Sequence, residues 1–452
     1  MNQWAGVVLA AGDGVRMKSR LPKALHRVCG KEMVRYPVEL LAQLGIQRVI
    51  VVVSPSNAGP VRGLLGDQVE YVTQPKVLGT GDALGRAAEL LRDEAEQLLV
   101  MGADTPLIQL SSAKHLVAAH SDSSGDMTLL TGNAKAARDL GRVVRDTKGQ
   151  VVEIVEAIEG SESAEEPAEI NGGFYCFRAS WLWETLERIE PGANGERYIT
   201  ALAAIGVAQG ASVQAVAAGD PSELLGVNNR LQLAQVEAVA RQRIREQWML
   251  AGVTIPDPAS VFIDADVTIG QDTVILPNTM LLGESRIGDE CEVGPGSVIR
   301  DSTLGHRCRA TSSVLEEATM EEGADIGPFS HLRPGAYLET GVHIGNFVEV
   351  KESRIGAGVL MGHFGYLGDA TIGARVNVGA GTVTCNYDGK DKHRTNIGEG
   401  AFIGCDTMLV APVTVGAKAV TGAGAVVTKD VPDGRLAVGI PARIRDLKRK
   451  TN

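Results

Sequence analysis

Aromatic residues are scarce: Phe, Trp and Tyr together make up 4% of 452 residues. A large α/β core normally uses more rings, so part of this core has to be built from Ile, Val, Leu and Ala. Cysteine is sparse too, with six residues at 29, 176, 291, 308, 385 and 405. No pair has C-x-x-C spacing and no Cys/His cluster has the spacing of a zinc site. Scattered single cysteines fit a reducing compartment. Positive charge is in deficit, the net charge being −11. That excludes a broadly basic surface for nucleic acid or an anionic membrane, but not an anionic small substrate. No basic segment precedes a long apolar run, and the chain enters a short strand directly at Ala5–Leu9. Neither a signal peptide nor a membrane span is expected, and the cytoplasm is the default location.

The length suits two or three domains, and two rhythms divide it. Up to about residue 228, strand-like and helix-like runs alternate. Ala5–Leu9 is short and apolar, Met33–Leu44 has helical spacing, and Arg48–Val53 is almost wholly valine and isoleucine. Gly79–Leu91 is again helix-like and Gln97–Met101 strand-like. This alternation predicts an open, mostly parallel sheet covered on both faces, with ligands beyond the carboxyl ends of its strands. Leu231–Leu250, rich in Ala, Gln, Arg and Glu, predicts a connecting helix.

After Gly252 apolar residues recur every six positions: Ile263, Ile269, Ile275, Leu281, Ile287, Val293 and Ile299. The period returns at Ile326, Leu332, Leu338, Ile344 and Val350, then at Ile397, Ile403, Leu409 and Val415, with Thr421 and Val427 completing it. Six matches neither a 3.6-residue helix nor a hairpin protein. It matches a solenoid in which each hexad makes one short strand and one corner, the periodic aliphatic pointing inward. Glycine after many of these aliphatics, as in Ile269-Gly270 and Ile344-Gly345, permits tight corners. Two interruptions are expected: a weakened rhythm over Thr303–Gly323, and a loop leaving the coil at Tyr387–Lys392.

The first strand runs into Leu9-Ala10-Ala11-Gly12-Asp13-Gly14-Val15-Arg16-Met17. Met17 stands where a dinucleotide fingerprint needs a third small residue, and no P-loop is present, so the bare G-x-G says little. The charges say more. Between Gly14 and Lys31 lie Arg16, Lys18, Arg20, Lys23, Arg27 and Lys31 with no acidic residue, a local reversal in an acidic protein. Glycines let backbone N–H groups approach phosphate oxygens while the cations neutralise them. A second strand runs into Asp104, which suits either a divalent cation at a nucleotide or a helix cap.

L-A-A-G-x-G-x-R-M followed by Leu21-Pro22-Lys23 resembles the sugar-nucleotide pyrophosphorylases. With Gln74, Leu78-Gly79-Thr80-Gly81, Gly141-Arg142, Ile154-Val155-Glu156, Glu169-Ile170-Asn171 and Gly226-Val227-Asn228-Asn229-Arg230, the pattern is similar to one family. That family is the bifunctional N-acetylglucosamine-1-phosphate uridylyltransferase/glucosamine-1-phosphate acetyltransferases. The likeness continues through His331-Leu332-Arg333-Pro334-Gly335, Gly345-Asn346-Phe347, Tyr366-Leu367-Gly368-Asp369, Asn377-Val378-Gly379-Ala380 and Cys385-Asn386-Tyr387-Asp388-Gly389. It covers nearly the whole chain.

The resemblance implies an α/β Rossmann-like nucleotidyltransferase domain at 1–228, a linker helix at 229–250, and a left-handed parallel β-helix of hexapeptide repeats at 251–452. The hand comes from the family alone, since ordinary crossovers are right-handed. It implies UTP and acetyl-CoA as substrates alongside glucosamine 1-phosphate and N-acetylglucosamine 1-phosphate, Mg²⁺ as cofactor, and a homotrimer through the β-helix. Leu9, Ala10, Ala11, Gly12, Gln74, Gly79, Thr80 and Ala103 would bind nucleotide, with Arg16 and Lys23 acting on the phosphates. Asp104 and Asn228 would hold Mg²⁺, and Gly141, Glu156, Asn171 and Asn228 the amino sugar. His363 would be the general base of acetyl transfer. Arg333, Lys351, Tyr366 and Asn377 would hold the sugar phosphate. Ala380, Asn386, Tyr387, Lys392, Cys405, Ala423 and Arg443 would line the acetyl-CoA site.

The chain departs from the family pattern at Val15 (usually Thr), Ala103 (Gly), Gly172 (Thr), Cys405 (Ser) and Ile440 (Arg). Other readings stay open at this point: a nucleotidyltransferase whose repeats only regulate or assemble it, a thymidylyl in place of a uridylyl donor, and a scaffold without activity.

Overall fold

The computed structural model describes residues 3–134, 141–156, 168–192 and 194–446. The chain divides into two compact units, Met1–Ala240 and Arg241–Asn452, the division falling inside the helix Arg230–Leu250.

The first unit is built on a twisted mixed sheet. Its order is Val213–Ala217, Met127–Ala134, Ala168–Arg178, Gln97–Gly102, Trp4–Leu9, Arg48–Val53 and Glu70–Thr73. A side pair, Arg142–Arg145 with Val151–Val155, joins it at Ile170. Most neighbours run parallel, as the alternation of strand and helix requires. Ala168–Arg178 runs antiparallel to both of its neighbours. Helices cover both faces, leaving two hydrophobic clusters. Val49 to Val53 are all buried, the mark of a strand with no solvent face.

The second unit is a prism of three sheets. One runs from Phe262–Ile263 to Val426–Val427, one from Thr268–Ile269 to Val413–Val415, and one from Val274–Ile275 to Arg443–Asp446. Successive strands in each sheet come from successive coils and pair in parallel, with one exception. The last strand, Arg443–Asp446, turns back antiparallel on Arg435–Val438. Three parallel sheets wound around one core are the architecture of the left-handed parallel β-helix.

Every member of the six-residue series, Thr421 included, is buried, and its aliphatic members form one continuous core. Each such side chain contributes about 1.5–3 kcal/mol by leaving water. Glycine is needed where coils touch: a methyl group added at Gly345 would run into the carbonyl oxygen of Gly362 in the next coil.

The first expected interruption does not occur. Over Thr303–Gly323 the coil shortens without breaking, from eighteen residues where Phe262 faces Met280 to sixteen where Val298 faces Val314. Leu304, Leu315 and Met320, each five residues after the core residue before it, keep the core filled together with Ala310. The rhythm weakens because the period changes. The second expectation holds: Tyr387 and Lys392 pair antiparallel across a loop that leaves the coil.

Candidate active sites

The strands Trp4–Leu9 and Gln97–Gly102 lie side by side in parallel, so their carboxyl ends open at one place. The Ala103 N–H donates to the Leu9 carbonyl at 3.0 Å. Buried Asn57 holds the turn after Leu9, its amide donating to the Ala10 carbonyl at 2.7 Å. Beyond these ends lies a cleft of about 410 Å³. Every residue of the first half assigned a role from the sequence lines it.

The centre of the cleft is charged. The Lys23 ammonium donates to Asp104 Oδ2 at 2.5 Å and to Asn228 Oδ1 at 2.7 Å. Gly14 makes room for Lys23: its φ is +63°, and a Cβ there would lie 2.6 Å from the Lys23 Cβ. Asn228 is brought in by Val227, whose N–H donates to the Asp104 carbonyl at 2.9 Å. Two hard oxygens from separate segments thus converge on one cation, here an ammonium. That donor set fits Mg²⁺, which takes one or two protein oxygens and draws the rest from phosphates and water. Among the described residues no cluster of three or more His, Cys, Asp or Glu could hold a metal without such help. Buried His26 has its pKa lowered, first by burial and then by the Arg230 guanidinium, 3.2 Å from its Nδ1.

On one side of this centre sit Gln74, Gly79 and Thr80. The Gln74 amide nitrogen donates to the Gly79 carbonyl at 3.1 Å and to Asp82 at 2.8 Å, which fixes the amide's orientation. On the other side the Asn171 N–H donates to the Gly141 carbonyl at 2.8 Å. The Asn171 side chain donates to the Tyr175 hydroxyl at 2.6 Å, and burial pushes that phenol well above its usual value. Thr200 donates to Glu156 at 2.6 Å.

In the second unit the sequence-assigned residues lie along one edge of the prism, on the two sheets that meet there, and on the Tyr387–Lys392 loop. Gly345, Gly362, Gly379, Gly404 and Gly422 stack coil on coil. Their followers include His363, Ala380, Cys405 and Ala423, which therefore form a column. The Gly381 N–H donates to the Phe364 carbonyl, Asp406 to Ala380, and Gly424 to Cys405. Tyr366 follows His363 into the adjoining sheet, where it faces Glu349, the partner of Arg333 at 2.8 Å. Asn386 donates to the Tyr366 hydroxyl at 3.3 Å and to Asp369. Lys392 lies against Lys351, whose ammonium pulls it below the usual lysine value. Asn377 sits on the other adjoining sheet, opposite Leu360 and Phe402. Arg443 is exposed and pairs with Val438, one strand past the column.

A nucleotidyl transferase family model matches residues 5–245, and a model of the bacterial transferase hexapeptide, six repeats long, matches 266–301. The bifunctional protein GlmU of Heliobacterium modesticaldum is 45% identical over 439 residues, 97% of this chain and 96% of that one. The same protein of Shouchella clausii is 43% identical over 96% of this chain and 95% of its own length. That of Geobacillus thermodenitrificans is 44% identical, covering 96% and 94%. The chain belongs to the GlmU family of bifunctional proteins.

The structure gives three of the departures from the GlmU pattern a physical context. A side chain at Gly172 would meet Leu224 at 2.6 Å and the Leu130 carbonyl at 2.9 Å, so threonine has no room here. Ala103 is buried and belongs to a hydrophobic cluster. Val15 is 82% exposed and takes no part in the core. Cys405 is an exposed thiol and Ile440 an exposed aliphatic; nothing in the structure explains either choice. The cleft also contains residues not foreseen from sequence: Tyr175, Glu196, Tyr198 and Thr200. The segment 196–200 carries no glycine pattern or charge run that would mark it.

Proposed function

We propose that the chain makes a UDP-linked amino sugar in two reactions. The second unit transfers the acetyl group of acetyl-CoA to the amine of glucosamine 1-phosphate. The first unit then joins N-acetylglucosamine 1-phosphate to the uridylyl group of UTP and releases pyrophosphate. One observation carries the reading: a single cleft gathers the glycine-rich turn, the Lys23–Asp104–Asn228 centre and the polar pair Glu156 and Asn171. The family's full-length match to proteins named bifunctional supports two activities over a transferase with idle repeats.

In the first unit, backbone N–H groups of Leu9–Gly12 meet the nucleotide phosphates, and Ala103 packs beside them. Gln74, Gly79 and Thr80 read the base. Gly141, Glu156 and Asn171 orient the sugar so that its phosphate oxygen attacks the α-phosphorus in line. Arg16 and Lys23 neutralise the growing charge, and no covalent intermediate is needed. Asp104 and Asn228 are the residues that would hold Mg²⁺, which when bound screens phosphate charge.

In the second unit, the His363 imidazole takes a proton from the substrate ammonium, because only a neutral amine attacks a thioester. The amine forms the amide bond and CoA leaves as its thiol. Arg333, Lys351, Tyr366 and Asn377 hold the sugar phosphate. Lys392, read from the sequence as lining the acetyl-CoA site, is better suited to share that duty, since two adjoining ammonium groups fit one phosphate. Ala380, Asn386, Tyr387, Cys405, Ala423 and Arg443 form the acetyl-CoA side.

The domains are assigned as 1–228, 229–250 and 251–452. Half-exposed Leu360 and Phe402 on the face with Asn377 support a homotrimer that covers this sheet. Six free cysteines support a cytoplasmic home. No helix among the described residues is long and apolar enough to cross a membrane.

The test is a paired assay on one preparation. Free thiol is followed with acetyl-CoA and glucosamine 1-phosphate, and pyrophosphate with N-acetylglucosamine 1-phosphate and either UTP or dTTP. A folded protein that releases no CoA removes the acetyl step. Preference for dTTP removes the uridylyl assignment.

A further inference from the structure

We propose that Lys23 is the exchangeable counter-ion of the first unit's cation centre. Its ammonium occupies the place a divalent cation takes, and the cation enters when Lys23 leaves. The proposal rests on the nucleotidyl-transfer reading of this cleft.

The geometry is specific. Nζ lies 2.5 Å from Asp104 Oδ2 and 2.7 Å from Asn228 Oδ1, so both oxygens point at it. A divalent cation would need these same oxygens at its own short bond lengths. Ammonium and metal cannot share them, because the two positive charges would meet within a few ångströms in a cleft only partly open to water. The Lys23 side chain is 14% exposed and that of Asp104 36%. The lysine stem starts where its Cβ lies against Gly14, and the three torsions beyond Cβ set where the ammonium goes.

The ammonium therefore has two stations. Without nucleotide it neutralises Asp104. When phosphates enter beside the Leu9–Gly12 turn, they offer it several oxygens of greater charge. Lys23 swings to them, and Asp104 and Asn228 become available to a metal. Nucleotide and metal then bind with positive coupling, and each raises the affinity for the other. A centre that takes metal far more readily together with phosphate holds loose cations only weakly.

Binding of Mn²⁺ alone to the full chain, read from the electron spin resonance of the free ion, tests this without turnover. Lys23→Met and Lys23→Gln are each expected to bind Mn²⁺ at least about ten-fold more tightly than the native chain. Lys23→Arg, which keeps the charge, gains nothing, and adding Asp104→Asn to Lys23→Met abolishes the gain. A second measurement uses the native chain: Mn²⁺ at saturation should speed the labelling of Lys23 by an amine-reactive reagent, read by mass spectrometry. Unchanged Mn²⁺ affinity in folded neutral variants, an equal gain in Lys23→Arg, or labelling indifferent to Mn²⁺ overturns the proposal. Pyrophosphate release by the native chain reports separately on the underlying reading. A chain that exchanges Lys23 yet releases none keeps the exchange and loses the reaction.

Discussion

The imidazole of His120 makes the first unit's stability depend on acidity. It is 1% exposed, with Nδ1 2.8 Å from Thr128 Oγ1 and Nε2 2.9 Å from Gln97 Oε1. The Gln97 oxygen only accepts, so Nε2 carries the proton and Nδ1 accepts from the threonine hydroxyl. A second proton would have to displace that bond inside the core. Burial is the main cause that lowers the pKa from 6.5 to about 4; Asp126 opposes it and Arg178 assists. The folded value lies below the unfolded one. The contribution is therefore complete above pH 6.5 and is lost as pH falls toward 4, where the unfolded chain holds a proton the native one refuses. At ~1.4 kcal/mol per pH unit, the loss is about 3 kcal/mol.

His120→Gln removes the titration. Urea unfolding followed by tryptophan emission in a Trp248→Phe background reads the first unit, where Trp4, Trp181 and Trp183 remain. Between pH 6.5 and 4 the parent should lose about 3 kcal/mol more stability than the variant. Parallel curves for the two would refute the reasoning.

Three further outcomes are expected. His363→Gln should lower CoA release by ~10²-fold or more while pyrophosphate release is unchanged, both measured in the paired assay. Gly345→Ala should destabilise the second unit by about 1–3 kcal/mol, seen as an earlier calorimetric transition with uridylyl transfer retained at low temperature. Lys392→Ala should raise the KM for glucosamine 1-phosphate by roughly ten-fold, as for a lost charge-assisted hydrogen bond, and leave that for acetyl-CoA nearly alone.

The β-helix was legible because its signal is one-dimensional: Ile263 to Ile299 repeats along the chain as it stacks in space. Where sides shrink to five residues, at Leu304 and Leu315, a search at period six loses a core that continues. The first half was legible where one strand end carries its own turn, as at Leu9–Gly12. The antiparallel course of Ala168–Arg178 was not, since direction is set by neighbours remote in sequence. Thr200 and Tyr175 reach the cleft through tertiary packing, and polar residues without a local pattern leave no trace to read. The column through His363, Ala380, Cys405 and Ala423 is spaced unevenly because the Tyr387–Lys392 loop intervenes, so its members meet only once coils are counted.

A stack of parallel strands has no natural last member, and its bare rim is a template for another molecule. Here the rim is sealed. Val431 is bonded into the last strand of one sheet through Thr414 and Gly416, Ala442 donates to Val426 on a second, and Arg443–Asp446 reverses direction on the third. At the opposite face Ile244, Trp248 and Met249 lie over the core. Shortened before Val431, the prism would offer open strand edges to its own kind, so these few residues keep the end of the solenoid from being a template.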